Sequence, residues 1–353
     1  MAKNTNSTWI TTDLILNNTK YGEDEIVCIM SGESVDLIEA VAQVAKEVHV
    51  YDSSFQTLAR LQRYLKAKNV KFSQDVYPPN EPVYDTVLLI VPKGREYARA
   101  QLMTAMQSIK QGGDLYIGGP NDGGAKSVIN DAKLLFDACQ VLDFRKSHRV
   151  AVSTKQKSYD YPADWGAKPY EPQQRKFETP LGEIEVITMP GIFSWDELDD
   201  GTSLLLEHIK LQGVTSMLDM GCGNGVIGAL AAKQIENVTM VDDNLLAVYC
   251  SRYTVEHNKL SNVQVLASDV YSNLDKQKFD LIVSNPPFHK KFDVSTHSTN
   301  RMITEAKDHL NRDGRLMLVV NTFLKYEETM SAHFRYARVV TETGKYKILE
   351  GAS

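Results

Sequence analysis

The chain is poor in cysteine and contains no long hydrophobic run. Its 353 residues include four cysteines without C-x-x-C spacing, namely Cys28, Cys139, Cys222 and Cys250. This spacing argues against a disulfide framework and indicates a reduced, intracellular protein. Residues 1–20 lack the basic start and apolar core of a secretion signal, and no stretch reaches the ~18 apolar residues of a membrane helix. We therefore expect a cytoplasmic protein with no membrane partner.

The sequence also lacks an excess of basic charge. Lysine and arginine number 39 against 45 aspartates and glutamates, which gives a formal net charge of −6. Proteins that grip nucleic acid along a broad face are usually strongly basic, so any such contact should be local here. The histidines show no metal-ligand spacing, and no metal is expected. The length suits two domains of about 150 residues each, joined by a connector.

Residues 279–288, Phe-Asp-Leu-Ile-Val-Ser-Asn-Pro-Pro-Phe, combine a predicted buried strand with a rigid polar corner. The apolar run is typical of a strand in a parallel sheet, and Asn285 follows at its carboxyl end. Pro286 and Pro287 fix the backbone and remove two amide donors, so carbonyl oxygens and the Asn285 amide oxygen can accept hydrogen bonds from a ligand. Phe288 adds an aromatic ring. Such a corner suits a planar group that carries an NH2.

A glycine-rich turn upstream separates a predicted strand, 216–220, from a predicted helix of small residues. The turn, Gly-Cys-Gly-Asn-Gly at 221–225, lets the backbone pass close to a ligand. The next predicted strand ends at Asp242, where a carboxylate can accept hydrogen bonds from ribose hydroxyls. Asp219, just ahead of the glycines, would repel a pyrophosphate and instead suits an amino or sulfonium cation.

Together these motifs resemble those of class I S-adenosylmethionine-dependent methyltransferases that act on exocyclic or amide nitrogens. The lead-in segments 190–194, Pro-Gly-Ile-Phe-Ser, and 198–202, Leu-Asp-Asp-Gly-Thr, are similar to those of the small-subunit methyltransferase C family of ribosomal RNA guanine-N2 methyltransferases. The resemblance implies S-adenosylmethionine as cofactor and the exocyclic N2 of a guanine as methyl acceptor. It also implies small-subunit ribosomal RNA, or the small ribosomal subunit, as partner. We expect a monomer.

Individual roles follow from the motifs and the resemblance. The predicted catalytic residues are Asn285, Pro286, Pro287 and Phe288. The predicted substrate contacts are Phe288, His289, Lys290 and Lys291, although solvated loop charge explains the last three equally well. The predicted cofactor residues are Asp219, Gly221, Gly223, Gly225, Asp242, Asp269, Phe193 and Thr202. Among them, Asp269 is expected at the adenine amino group or as a strand-end cap, and Phe193 and Thr202, with Ser194 and Asp199, at the methionine end.

The first half of the chain repeats the pattern of the second. Residues 25–35, 48–52 and 84–93 run parallel to 216–226, 238–242 and 279–288. Two tandem Rossmann-like methyltransferase domains of α/β class are therefore predicted. In this alignment Cys28, Met30 and Ser34 take the places of Asp219, Gly221 and Gly225.

These replacements predict that the amino-terminal domain is degenerate. We expect residues 1–155 to form a domain without a cofactor site that docks substrate or supports the fold. Residues 156–178, which contain three prolines and no periodic pattern, form the predicted linker. Residues 179–353 form the predicted catalytic domain.

Two further functions fit the motifs. The same fold could methylate adenine N6 or a protein glutamine amide, because Asn-Pro-Pro followed by an aromatic residue also serves those acceptors. A DNA adenine enzyme would usually be more basic, and a glutamine enzyme usually has Tyr in place of Phe288. The third hypothesis is a catalytically silent RNA-binding module, and the intact glycines and polar corner argue against it.

Overall fold

The computed structural model describes residues 2–157, 160–165, 168, 170–286 and 294–353, without the side chains of 2–6, 164 and 294–296. The chain divides into two compact units, Met1–Glu171 and Pro172–Ser353. The division therefore falls inside the predicted linker. Each unit carries its own seven-stranded sheet and hydrophobic core.

The first unit contains a sheet of order β3-β2-β1-β4-β5-β7-β6, in which β7 runs antiparallel to both neighbours and the strands from β3 to β5 are parallel. Its elements are α1 (Ala2–Asn18), β1 (Ile26–Met30), α2 (Val35–Ala42), β2 (Glu47–Tyr51), α3 (Phe55–Tyr64), β3 (Val70–Phe72), β4 (Tyr84–Ile90), α4 (Arg95–Ser108), β5 (Ile109–Pro120), α5 (Ala125–Leu135), β6 (Gln140–Arg145) and β7 (His148–Thr154). A short 3-10 helix follows at Ala163–Trp165.

The second unit begins with a hairpin of β8 and β9 and continues with a sheet of order β12-β11-β10-β13-β14-β16-β15. Its elements are β8 (Gln173–Thr179), β9 (Gly182–Thr188), α6 (Asp200–His208), β10 (Ser216–Met220), α7 (Val226–Ala232), β11 (Asn237–Asp242), α8 (Leu245–His257), β12 (Val263–Ala267), β13 (Phe279–Ser284), α9 (Val294–Glu305), β14 (Leu310–Asn321), α10 (Glu327–His333), β15 (Tyr336–Glu342) and β16 (Tyr346–Ala352). A 3-10 turn, Ala306–His309, follows α9. The two sheets have the same strand order, and the predicted pair of Rossmann-like domains is confirmed.

The central strands of the second sheet are buried on both faces. Met217 of β10 and Leu281 of β13 belong to one apolar cluster, whereas the next residues along, Leu218 and Ile282, belong to a cluster on the opposite face. Helices cover both faces of a parallel sheet, which explains why these strands are continuous apolar runs in the sequence. The parallel register brings the carboxyl ends of β10, β11 and β13 to one edge, where ligands bind in folds of this type.

The first unit corrects one detail of the repeat alignment. The Ser31 N–H donates to the Tyr51 carbonyl at 2.8 Å, and the Gly221 N–H donates to the Val241 carbonyl at the same distance. Ser31 also has a positive φ of 56°, close to the 73° of Gly221. Ser31, rather than Met30, therefore stands in the place of Gly221.

It follows that Ile29, rather than Cys28, stands in the place of Asp219. The turn from Ser31 to the α2 cap, Ser34, is one residue shorter than the turn at 221–225. The buried Gln101 side chain of α4 lies against this turn, with its Nε2 2.9 Å from the Ser31 hydroxyl. The first unit therefore has an isoleucine, Ile29, in place of the Asp219 carboxylate, and its own Gln101 side chain packs on the shortened turn. The absence of a cofactor site there stays a prediction.

Among the residues that the structure describes, no helix is both long and apolar enough to cross a membrane. Within the same residues, no group of three or more acidic, histidine or cysteine side chains could hold a metal ion.

Candidate active site

A cavity of about 390 Å³ opens in the second unit beside the carboxyl ends of β10, β11 and β13. Its size lies within the ~300–1,000 Å³ typical of small-molecule sites. The walls come from the glycine turn, the end of β11, the lead-in segment before α6, and the residue that follows β13. Eight predicted site residues line it, namely Phe193, Ser194, Asp199, Thr202, Gly221, Gly223, Asp242 and Asn285.

The glycine turn has a backbone that side chains would disturb. Gly221 and Gly225 have φ angles of 73° and 83°, in the left-handed region that glycine adopts without strain. A Cβ at Gly225 would also lie only 3.1 Å from the Ser251 hydroxyl. Gly225 caps the amino end of α7 rather than lining the cavity. The turn therefore exposes backbone to the cavity and aims α7 at it.

Asp242 holds two neighbouring loops at the edge of the cavity. Its Oδ2 accepts a hydrogen bond from the Gly223 N–H at 2.9 Å, and its Oδ1 accepts one from the Asn244 N–H at 2.8 Å. Asn244 in turn donates from Nδ2 to the Gly191 carbonyl at 2.9 Å, which anchors the lead-in segment. Burial raises the pKa of the Asp242 carboxyl to about 6. The ionised carboxylate retains lone pairs that can accept from ribose hydroxyls.

Asp219 lies near the carboxyl end of β10, is fully buried and does not line the cavity. Its Oδ2 accepts a hydrogen bond from the Gly228 N–H at 2.9 Å, whereas its Oδ1 is buried with no partner among the described residues. Burial raises the pKa of this carboxyl to about 7. A buried carboxylate oxygen without a donor is costly, and a nearby cation would relieve that cost.

We expect the substitution Asp219→Asn to change how stability depends on pH. The folded-state pKa of about 7 exceeds the ordinary 3.8, so the folded chain keeps this proton over a pH range in which the unfolded chain has lost it. The wild type should therefore lose free energy of unfolding relative to the variant, by roughly 4 kcal/mol as the pH rises from ~4 to ~7. Chemical denaturation across this range measures the difference. A difference that does not vary with pH would contradict the assignment.

Asn285 is held in one orientation by two acceptors. Its Nδ2 donates to Asp199 Oδ2 at 2.8 Å and to Thr202 Oγ1 at 2.9 Å. Its Oδ1 is buried and has no hydrogen-bond partner within the described part of the chain. Thr202, expected at the methionine end of the cofactor, thus lines the cavity and also contacts Asn285. The site therefore contains a fixed, unsatisfied amide oxygen.

The remaining predicted residues differ in their outcome. Pro286 is described and buried, whereas Pro287, Phe288, His289, Lys290 and Lys291 lie outside the described residues. Asp269 does not line the cavity, and its carboxylate lies 2.7 Å from Arg301 Nη1 on α9. The Asp269 carboxylate, expected from the sequence to accept a hydrogen bond from the adenine amino group, is therefore engaged in an ion pair with Arg301. Its contact with adenine stays a prediction.

Sequence reasoning missed several residues that line the cavity, including Phe177, Asp243 and Asn244. Phe177 lies in the segment predicted as linker, yet it belongs to β8 and is buried. Alternation of polar and apolar residues in β9, its partner, could have indicated this hairpin. Asn244 caps α8 through its side chain, and an Asn directly before a helical pattern is the usual signal of such a cap.

Comparison with known proteins places both units in described families. The second unit matches the methyltransferase small domain over residues 183–350, and the first matches the methyltransferase small domain N-terminal family over residues 13–157. The ribosomal RNA small subunit methyltransferase C of Aeromonas hydrophila is 36% identical over 76% of this chain and 77% of its own. That of Actinobacillus succinogenes is 30% identical over 92% of this chain and 93% of its own.

A solved structure is similar along almost the whole chain. It is the 16S rRNA N2 methyltransferase of T. thermophilus in complex with AdoMet and guanosine, with a TM-score of 0.83 and 25% identity. The match covers 97% of this chain and 91% of that one. The likeness therefore includes both units.

Proposed function

Since the chain belongs to the ribosomal RNA small subunit methyltransferase C family, we propose that it methylates the exocyclic N2 of a guanine in small-subunit ribosomal RNA. The cofactor is S-adenosylmethionine, in agreement with the prediction from the sequence. The observation that supports the acceptor is the unsatisfied amide oxygen of Asn285.

Asn285 suits an amine acceptor because of the way its amide is oriented. Both of its N–H groups have acceptors within the protein, so the oxygen is the one polar atom of this amide that lacks a partner among the described residues. That oxygen can accept a hydrogen bond from an NH2 group but cannot donate one to a carbonyl. A guanine N2 supplies such a donor. The buried oxygen would otherwise remain unsatisfied, at a cost of roughly 1–3 kcal/mol.

The residues around the cavity fit S-adenosylmethionine. The turn at 221–225 offers exposed backbone, and Asp242 offers acceptors for ribose hydroxyls. Asp219 does not line the cavity, so its contact with the cofactor stays a prediction that rests on its buried Oδ1 without a partner among the described residues. When bound, the cofactor supplies a methyl group on a positively charged sulfur, which is already a strong electrophile. The protein therefore has to bind and orient the acceptor rather than activate the methyl group.

The exocyclic amine of guanine is a weak nucleophile because its lone pair is delocalised into the ring. A hydrogen bond to Asn285 Oδ1 would favour a pyramidal nitrogen and orient its lone pair. As the new N–C bond forms and the C–S bond breaks, positive charge develops on the nitrogen, and the amide oxygen stabilises it. The nitrogen then releases one proton to water. Because the nitrogen becomes acidic as the new bond forms, water can take this proton, and the scheme needs no general base in the site.

The proposed partner is ribosomal RNA, free or in the small subunit, and the proposed location is the cytoplasm. All four cysteines are buried and unpaired, as suits a reducing compartment. Because the protein is acidic overall, we expect substrate binding to depend on the shape of a structured RNA as well as on local charge.

The proposal is tested by identifying the methylated product. The protein is incubated with methyl-labelled S-adenosylmethionine and, separately, with 16S rRNA, small and large ribosomal subunits, DNA and cellular protein. Digestion and chromatography of the labelled fraction should give N2-methylguanosine from small-subunit RNA. Label recovered in adenosine or in protein glutamine instead would contradict the proposed acceptor, and absence of label in every fraction would favour a silent RNA-binding module.

A further inference from the structure

We propose that Asp199 is a positioning residue for methyl transfer: it fixes the Asn285 amide with its oxygen toward the acceptor nitrogen and strengthens that oxygen as an acceptor. The inference rests on the proposed function. It assigns to Asp199 a part in turnover, in place of the cofactor contact expected from the sequence.

The geometry makes Asp199 the group that decides which way the Asn285 amide points. A carboxylate can only accept hydrogen bonds, and Asp199 Oδ2 lies 2.8 Å from Asn285 Nδ2. Rotating the amide by half a turn would place its oxygen at this distance from a carboxylate oxygen, where two acceptors repel each other. Thr202 Oγ1 takes the second N–H but could also donate its own hydroxyl proton, so it does not by itself exclude the rotated amide.

Asp199 is itself rigidly placed. It caps the amino end of α6, where its Oδ2 also accepts from the Thr202 N–H at 2.9 Å. The Tyr346 hydroxyl lies 3.5 Å from its other oxygen. A Cβ at Gly201 would stand 2.9 Å from Asp199 Oδ2 and 3.3 Å from the Tyr346 ring, so the close packing of this corner requires glycine. The carboxylate therefore has little freedom to move away from Asn285.

The charge on Asp199 acts in the direction that the reaction needs. Donation of N–H groups to a carboxylate polarises the Asn285 amide and makes its oxygen a better acceptor. Positive charge develops on the acceptor nitrogen only as the methyl group is transferred. The negative charge of Asp199, which is hydrogen-bonded to the Nδ2 of the amide, therefore stabilises the transition state more than the ground state. It should act on kcat rather than on cofactor affinity.

The variant Asp199→Asn separates the charge from the helix cap. Asparagine caps helices as well as aspartate does and has the same shape, so folding should be preserved. We expect kcat on the RNA substrate to fall about tenfold, the difference between a charged and a neutral hydrogen bond, with the Kd for S-adenosylmethionine unchanged. The matched control is Asp200→Asn. Asp200 is the next residue, its side chain is 76% exposed and pairs with Lys345, and its replacement should leave kcat unchanged.

A double-mutant cycle tests whether Asp199 acts through Asn285. In the background of Asn285→Ala, the further change Asp199→Asn should have no additional effect on kcat. Additive effects of the two changes would overturn the inference, as would wild-type kcat for Asp199→Asn or a loss of cofactor binding equal to the loss of turnover. These outcomes are read only against a wild type that forms N2-methylguanosine. A wild type without that product would instead contradict the proposed function.

Discussion

Replacement of Asn285 by alanine is expected to lower kcat by about 10²- to 10³-fold, the range observed when one preorganised hydrogen-bonding group is removed from an active site. The amide oxygen of Asn285 is held in place by the two hydrogen bonds of its Nδ2 and has no hydrogen-bond partner among the described residues. Its main contribution comes when the nitrogen becomes positively charged. The loss should therefore appear in turnover and not in cofactor affinity.

Single-turnover kinetics with saturating RNA measure this effect, and calorimetric titration measures the Kd for S-adenosylmethionine. We expect that Kd to stay within about threefold of the wild type, because Asn285 is assigned to the acceptor and not to the cofactor. Thermal unfolding of the variant serves as the control for folding. A variant that retains most of its turnover, or that loses cofactor binding in parallel, would show that Asn285 does not hold the acceptor.

The substitution Asp242→Ala is expected to weaken S-adenosylmethionine binding by about 10²-fold. Each hydrogen bond to a charged group contributes roughly 1.5–3 kcal/mol, and the variant would lose acceptors for two ribose hydroxyls. It would also release the N–H groups of Gly223 and Asn244, which shape the edge of the cavity. Isothermal titration with the cofactor measures the change in Kd.

The first unit provides a matched control for this prediction. Asp52 directly follows β2, whereas Asp242 is the last residue of β11. Asp52 is buried and accepts a hydrogen bond from the Ser54 N–H at 2.8 Å, as Asp242 does from Asn244. Both substitutions therefore remove a carboxylate that holds the backbone just after its strand. Asp52→Ala should leave cofactor affinity unchanged. An equal loss of affinity in both variants would mean that the first unit also binds the cofactor.

The sequence was sufficient for the parts of the site that lie at the ends of apolar strands. Strands β10 and β13 are short runs between turn residues, and a parallel sheet necessarily brings their carboxyl ends to one edge. Gly221, Asp242 and Asn285 could therefore be placed together before any coordinates were known. The glycines and prolines there are informative because few other residues adopt those backbone conformations.

Contacts between distant segments could not be predicted in this way. Asp199 and Asn285 belong to different elements, and no local pattern indicates that a helix cap will meet a strand end. The same applies to the ion pair of Asp269 with Arg301 on α9. The register error at Cys28 has another cause. The strand Ile26–Met30 is apolar throughout, so a shift by one residue left the hydrophobic pattern unchanged.

The central claim is that the second unit presents the Asn285 oxygen to an exocyclic amine beside the bound cofactor. A crystal structure of this protein with S-adenosylhomocysteine and guanosine tests it directly. We predict the cofactor product against the turn at 221–225, its ribose at Asp242, and the guanine N2 within hydrogen-bonding distance of Asn285 Oδ1. Cofactor density in the first unit, or a guanine whose N2 points away from Asn285, would contradict the account.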